Sequence, residues 1–280
     1  MNKIKSIAIV IISIMTIVIL AGCGNEKNGE NVTEPKRQQV VYSGENNPIV
    51  TMIVEYDNES GQKEEGTIKM ELYPQYAPNT VENFVNLVSN GFYDGLTFHR
   101  IIDNFMIQGG DPNGIGSGGA KVSDINKNVK AGSSEDYNYS IKGEFKLNNY
   151  ENKVKFEAGT LAMARSDYSS LGLAEDGYNS ACSQFFIVNT DDKQTNEHLE
   201  GQYAAFGKVI EGYDVVEKIS KTKVKSNGRE QSTPVSAPVI KKMSVDTKGI
   251  YYQIPEYINA DEIKAKVQQR YNELMKNYGR

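Results

Sequence analysis

Apolar and polar residues alternate over positions 67–72: Ile68, Met70 and Leu72 point one way, and Thr67, Lys69 and Glu71 the other. This is the period of a half-buried strand. The run 49–56 before it is largely β-branched and apolar, so the polar stretch 57–66 reads as a hairpin connection. The period then changes. Val81, Phe84, Val85 and Val88 fall at i, i+3, i+4 and i+7 behind Pro78-Asn79-Thr80, and Gly91 follows, which predicts a helix with one apolar face and signals at both ends. Short strands are predicted at 97–102, 105–108, 160–164, 184–189, 204–210 and 239–245, with a second helix at 213–220. Many strands joined by turn-rich connections, with only two helices among them, point to a mainly β fold closed as an antiparallel barrel with two flanking helices. At 259–278, Asn259 and Glu262 form a capping pair, and Ile263, Val267, Tyr271, Leu274 and Tyr278 trace one face of a C-terminal helix. That face is expected to pack on the barrel, the alternative being a partner-binding helix. Two long polar segments, 121–140 and 166–179, interrupt the short connections, and loops of this length are usually functional or mobile.

The first residues follow another logic. Lys3 and Lys5 precede an apolar run, 7–21, broken only by Ser13 and Thr16, and Leu20-Ala21-Gly22-Cys23 closes it. A positive start, an apolar middle and a small-residue end are the order of a secretory signal, and the run falls short of the roughly 20 residues of a membrane span. The last four residues resemble the lipobox of bacterial lipoproteins, which implies lipidation at Cys23; a retained anchor helix is the alternative. Either way the body is expected outside the cytoplasm, held at the cell membrane. The stretch that follows is rich in Asn, Glu, Lys and Gln and buries too little to offset its ordering entropy. The expected organisation is a signal peptide at 1–22, a disordered polar linker at 23–47, a barrel domain at 48–247 and a helical extension at 248–280.

Composition narrows the function classes. The 280-residue chain has ample length for a core, and its formal charge of −5, which becomes −7 once Lys3 and Lys5 are removed, argues against a nucleic-acid partner. Cys182 is left without an intramolecular partner if Cys23 is lipidated, so it reads as a small core residue. His99 and His198 are the only histidines, too few for a His-rich metal site. Gly114-Ile115-Gly116-Ser117-Gly118-Gly119 has the spacing of a dinucleotide loop, but no amphipathic helix is predicted behind it to hold a pyrophosphate.

The chemistry concentrates at 98–111, Phe-His-Arg-Ile-Ile-Asp-Asn-Phe-Met-Ile-Gln-Gly-Gly-Asp, where Arg100 stands among strand formers and is expected to be exposed, paired or held for a task. This run resembles the central signature of the cyclophilin family of peptidyl-prolyl isomerases. Four further blocks resemble that family in its own order: 77–84, 159–165, 183–187 and 206–209. The resemblance covers about 48–247 and implies a cyclophilin-like barrel acting on X-Pro bonds without cofactor or metal. Carried over by position, it implies Arg100, Gln108 and Phe105 as catalytic residues. Met106, Phe186 and Leu199 would line a proline pocket with Phe105, while Gln184 and the backbone of Ala164 and Arg165 would hold the peptide. His198 stands where members often have Trp, Tyr203 where they often have His, and Arg165 where Asn is common; His198 and Tyr203 remain substrate-side positions. The implied partners are proline-containing segments of secreted or surface proteins, met by a monomer on a lipid anchor. A noncatalytic docking module or holdase using the same groove is the rival reading. A small-molecule-binding lipoprotein shares the anchor but none of the five blocks.

Overall fold

The structure is a computed structural model that describes residues 41–228 and 230–278. The expected signal peptide, Cys23 and the linker up to residue 40 lie outside the described residues. The strands are β1 Ile49–Asp57, β2 Lys63–Leu72, β3 Thr97–Ile102, β4 Met106–Asp111, β5 Tyr139–Ser140, β6 Thr160–Met163, β7 Phe185–Val188, β8 Ala205–Glu211, β9 Val224–Ser226, β10 Gln231–Pro234, β11 Val239–Asp246 and β12 Ile258–Asn259. The helices are α1 Pro78–Ser89, α2 Val122–Ile125, α3 Ala174–Tyr178, α4 Lys193–Leu199, α5 Tyr213–Ser220 and α6 Ala260–Tyr278. Eight strands close into an antiparallel barrel in the order β1-β11-β3-β4-β7-β6-β8-β2. The two expected flanking helices are α1 and α5. The three shorter ones sit in connections too polar for a periodic signal. The first hairpin is tighter than its polar stretch suggests, because charged residues 63–65 continue β2 and pair with 55–57.

Alternation decides what is core. Ile101, Ile107, Ile187, Leu161 and Met163 point inward and belong to one large buried cluster, in which Phe84 of α1 touches Phe185 and Phe206 with ring centroids 5.5 and 5.1 Å apart. Their neighbours Ile102, Met106, Phe186, Val188 and Ala162 point outward into a second, smaller cluster on the barrel's outer face. A strand presents alternate residues to opposite faces, so one sequence run feeds both.

Helix α1 begins without a side-chain cap of its own, since its first residue follows Ala77 and carries Pro at the start. Glu144 supplies the cap from the far side of the chain. Its buried carboxylate accepts the Asn79 and Thr80 amides at 3.1 and 2.8 Å and the Thr80 hydroxyl at 2.6 Å. A carboxylate at a helix N-terminus satisfies orphan donors and opposes the helix dipole favourably. Glu144→Ala is therefore expected to cost about 2–3 kcal/mol, read as a lower urea midpoint at unchanged m-value.

The segment behind β11 crosses α1 before it becomes a helix. Asn79 exchanges two hydrogen bonds with the Glu256 backbone, and Asn86 donates to the Gln253 carbonyl. Tyr252 stacks on Tyr42 at 5.6 Å, so ordered packing extends N-terminal to Pro48. β12 then pairs with β5 and delivers α6. The helix rests on the body through Lys266 with Asp176 and through Arg270, which donates to the Leu171 carbonyl. Along the expected apolar face Ile263, Val267 and Leu274 are half-buried, whereas Tyr271 is exposed.

Candidate active site

Strand register assembles the site. Arg100 of β3 lies opposite Gln108 of β4, Gln108 opposite Phe186 of β7, and Phe186 opposite Ala162 of β6, forming one row across four strands. The next row is Ile102, Met106 and Val188. Directly opposed residues share a face, and here it is the outer one. Beyond the second row, between β3 and β4, the chain turns through Asn104, whose left-handed backbone (φ 54°) closes a tight loop and sets Phe105 at the edge of the outer cluster. Leu199, at the end of α4, covers the same cluster from the side.

The polar half of the row is a directed chain of hydrogen bonds. Arg100 Nη1 donates to Gln108 Oε1 at 3.3 Å, Gln108 Nε2 donates to Gln184 Oε1 at 2.9 Å, and Gln184 Nε2 donates to the Gly118 carbonyl at 2.8 Å. Each amide is fixed by the next. The other edge of the guanidinium is held bidentately by Glu230, with Nε to Oε1 at 2.6 Å and Nη2 to Oε2 at 3.0 Å. Such a fork is rigid as well as attractive. The Arg100 guanidinium, and then Ser232, hold the Glu230 carboxyl below its ordinary range against the upward push of burial. Nη1 also lies 3.6 Å from the Met106 sulfur, a weak acceptor. This weakly held N–H of Arg100 thus faces the outer apolar cluster.

The expected residues Arg100, Phe105, Met106, Gln108, Gln184, Phe186 and Leu199 are brought together. Tyr203 meets the Phe186 ring edge-on at 5.5 Å, and Ala164 packs at the cluster's edge, its amide donating to the Gln184 carbonyl. His198 sits on the exposed side of α4, one residue from Leu199. The Arg165 side chain is occupied elsewhere. Its guanidinium lies over the rings of Tyr203, Tyr178 and Phe145 at 4.9, 5.2 and 5.5 Å and donates to the Gln202 and Ser166 carbonyls. It pins the 166–179 segment to the barrel, and α6 holds the same segment from its other side.

Two contributors escape sequence reading. Phe156 stacks on Phe186 at 6.5 Å from a polar stretch where it is the lone aromatic. Glu230 lies in the β9–β10 hairpin, which has little apolar content; its signal was the Asn227-Gly228 dipeptide, a strong hairpin turn marker.

The remaining candidates resolve into structure. In the glycine-rich run the amides of Ile115, Gly116 and Gly118 turn to the Asp111 carboxylate, at 3.2, 2.6 and 3.1 Å, and are spent on it. Burial pushes the Asp111 carboxyl up, but the amides of Asn113, Gly118 and Gly116 outweigh it and hold it low. A side chain at Gly118 would meet that carboxylate at 2.0 Å, so the glycine is required by close approach. The helix behind the run, α2, has four residues and offers no pyrophosphate cradle. His99 is buried, and burial lowers its basicity, so it is neutral at pH 7. Burial lifts the Cys182 thiol to about 12, which leaves it protonated and unreactive. Among the described residues no cluster of His, Cys, Asp or Glu could hold a metal ion, and no helix is long and apolar enough to cross a membrane.

Comparison with known proteins gives the family. The family model described as Cyclophilin type peptidyl-prolyl cis-trans isomerase/CLD matches residues 55–245. A protein of Staphylococcus haemolyticus named as a peptidyl-prolyl cis-trans isomerase is 34% identical over 207 residues, covering 65% of this chain and 88% of the relative. One from Staphylococcus aureus, with the same name, is 33% identical over 205 residues, covering 65% and 87%. Among solved structures, a cyclophilin type peptidyl-prolyl cis-trans isomerase of Cryptosporidium parvum is 25% identical, with a TM-score of 0.49 over 70% of this chain and 98% of that one.

Proposed function

The chain belongs to the cyclophilin-type peptidyl-prolyl cis-trans isomerases, and from that premise we propose that Arg100 is its catalytic guanidinium and that it works outside the cytoplasm, on X-Pro bonds of secreted or surface proteins, from a lipid anchor at Cys23. One observation carries the catalytic assignment: the guanidinium is clamped by Glu230 and Gln108 with an N–H directed at Met106, in the outer apolar cluster that also holds Phe105, Phe186 and Leu199. The proline ring rests on that cluster, and Gln108, Gln184 and the backbone at Ala164 and Arg165 hold the flanking peptide.

Rotating a peptide bond breaks no σ bond; it removes amide resonance against a barrier of about 18–20 kcal/mol. At the twisted midpoint the prolyl nitrogen regains its lone pair and becomes an acceptor. A fixed N–H donor stabilises that state more than the planar amide, which is the condition for catalysis. Shortening ~10 s to ~1 ms is ~10⁴-fold, about 5.4 kcal/mol. One charge-assisted hydrogen bond supplies about 1.5–3 kcal/mol. Desolvation of the proline and the rigid approach of the guanidinium supply the rest. The test is NMR exchange of an Ala-Pro peptide with the full chain in detergent micelles. Fast cis/trans exchange is expected; binding without acceleration would instead identify a docking module or holdase.

The location rests on the lipobox-like residues 20–23 and the signal-like run before them. A fatty-acid label incorporated by the native chain and absent from Cys23→Ala is expected. Equal labelling, or a cleaved Cys23→Ala form that stays with the membrane, would overturn the anchor.

A further inference from the structure

Helix α5 takes no part in the row built on Arg100, yet both of its ends reach the turn that presents Phe105. That turn, between β3 and β4, is closed by the Phe105 amide donating to the Ile102 carbonyl at 3.2 Å, with Asp103 and the left-handed Asn104 at its centre. Just past the C-terminal end of α5 the Lys221 ammonium donates to both oxygens of Asp103, at 2.9 and 2.8 Å, and the Ser220 hydroxyl lies 3.3 Å from the same carboxylate. Asp103 also accepts the Asn104 amide at 2.9 Å. At the other end of the helix the Tyr213 hydroxyl donates to Asn189 Oδ1 at 3.0 Å, and the Asn189 amide donates to the Phe105 carbonyl at 2.8 Å. Between these two anchors α5 is seated in the main core through Val215, Val216 and Ile219.

We propose that α5 is a splint for this turn, and that Asp103, Lys221, Tyr213 and Asn189 are positioning residues that fix Phe105 where the isomerisation needs it. The inference rests on the isomerase site proposed above, in which Phe105 belongs to the cluster that takes the proline. Overall stability does not account for the Asp103–Lys221 pair. The two side chains are 42% and 59% exposed, and ion pairs that open to water add little to folding. Their effect is local. A turn with a non-glycine residue at positive φ keeps its shape when its surroundings hold it, and here the holding groups come from one helix anchored in the core. A contact to the reacting group loses much of its effect on rate when it is displaced by an ångström or less.

Lys221→Met and Tyr213→Phe cut the two ends of the splint separately, and both are tested in the full chain in detergent micelles. Each is expected to speed hydrogen exchange at the Phe105 amide about fivefold and to lower kcat for an Ala-Pro peptide about fivefold, with the thermal midpoint close to native. Lys221→Arg, which keeps a cation against Asp103, should restore both values. Unchanged exchange at Phe105 in either variant overturns the splint. So does faster exchange with native kcat, because the turn would then be held without consequence for the reaction. A kcat loss that persists undiminished when Phe105→Ala is added also overturns it, since the helix would be acting on some other group. A native chain that fails to isomerise the peptide overturns the isomerase reading instead, and the splint then stands or falls on the exchange rate at Phe105 alone.

Discussion

Arg100→Ala is expected to lower kcat by about 10²–10³-fold while the Kd of an Ala-Pro peptide changes severalfold at most. Removing one well-aimed donor to a developing charge or lone pair typically costs that much in turnover. The outer apolar cluster of Phe105, Met106, Phe186 and Leu199, proposed to take the proline, survives the change. Equal losses in kcat and affinity would show that Arg100 binds the peptide without favouring the twisted state. Arg100→Lys is expected to recover little, because an ammonium cannot span both oxygens of Glu230 and also reach Gln108. Glu230→Gln separates position from charge: the guanidinium remains but loses its fork, and a loss of about tenfold in kcat is expected if precise placement matters. The pH dependence has a definite sign. Glu230 has a depressed pKa in the folded protein, so its hold on Arg100 is fully present above the ordinary carboxylate range and is lost as pH falls through the depressed value. Turnover should therefore stay level through neutral pH and fall only in acid, and Glu230→Gln should remove that acid limb. An acid limb that persists in Glu230→Gln would place the titrating group elsewhere.

How much of this was legible beforehand follows from what each feature depends on. The barrel was readable because half-buried strands impose period 2 on their residues, and α1 and α5 because their faces impose period 3.6. The site residues on those strands were legible through the family resemblance, and the structure brings Arg100, Gln108 and Phe186 together by register. Glu230 depends on a tertiary approach by a polar hairpin, and polar hairpins leave no hydrophobic period. Phe156 is similar, a single ring supplied by irregular chain. The Glu144 cap joins residues 64 and 65 apart, so a local reading of α1 could find the start of the helix but not the group that completes it. Residues 121–140 and 166–179 read as functional or mobile loops, and internal carboxylates and a caged cation hold them in place. Asp136 accepts the Ser123 and Gly132 amides, and Arg165 closes the second segment. The C-terminal extension was the least legible, because its docking runs through backbone carbonyls met by Asn79 and Asn86 of α1, and only afterwards through the helix itself.

Phe84→Ala is expected to be the largest stability loss, about 3–5 kcal/mol, the usual scale for removing a buried ring from a packed core. Phe84 is fully buried, and its ring meets Tyr93, Phe185 and Phe206 within 5.1 to 5.5 Å, so no neighbour can fill the space without abandoning contacts of its own. For a domain this size that is a large share of a total near 5–15 kcal/mol, and the thermal midpoint should fall accordingly. The comparison that gives the result meaning is Phe105→Ala. Phe105 is half-buried in the outer cluster, so its loss should cost little stability and much turnover, whereas Phe84→Ala, assayed cold where it remains folded, should isomerise the peptide at close to the native rate. The two rings belong to opposite faces of one barrel wall. β7 serves both faces with adjacent residues, Phe185 pointing inward to Phe84 and Phe186 outward into the cluster that holds Phe105. If cold Phe84→Ala lost turnover in proportion to stability, the wall would be transmitting core strain to the site. If it does not, the sheet isolates its catalytic face from its core, and substitutions of the outer residues can alter substrate choice without putting the fold at risk.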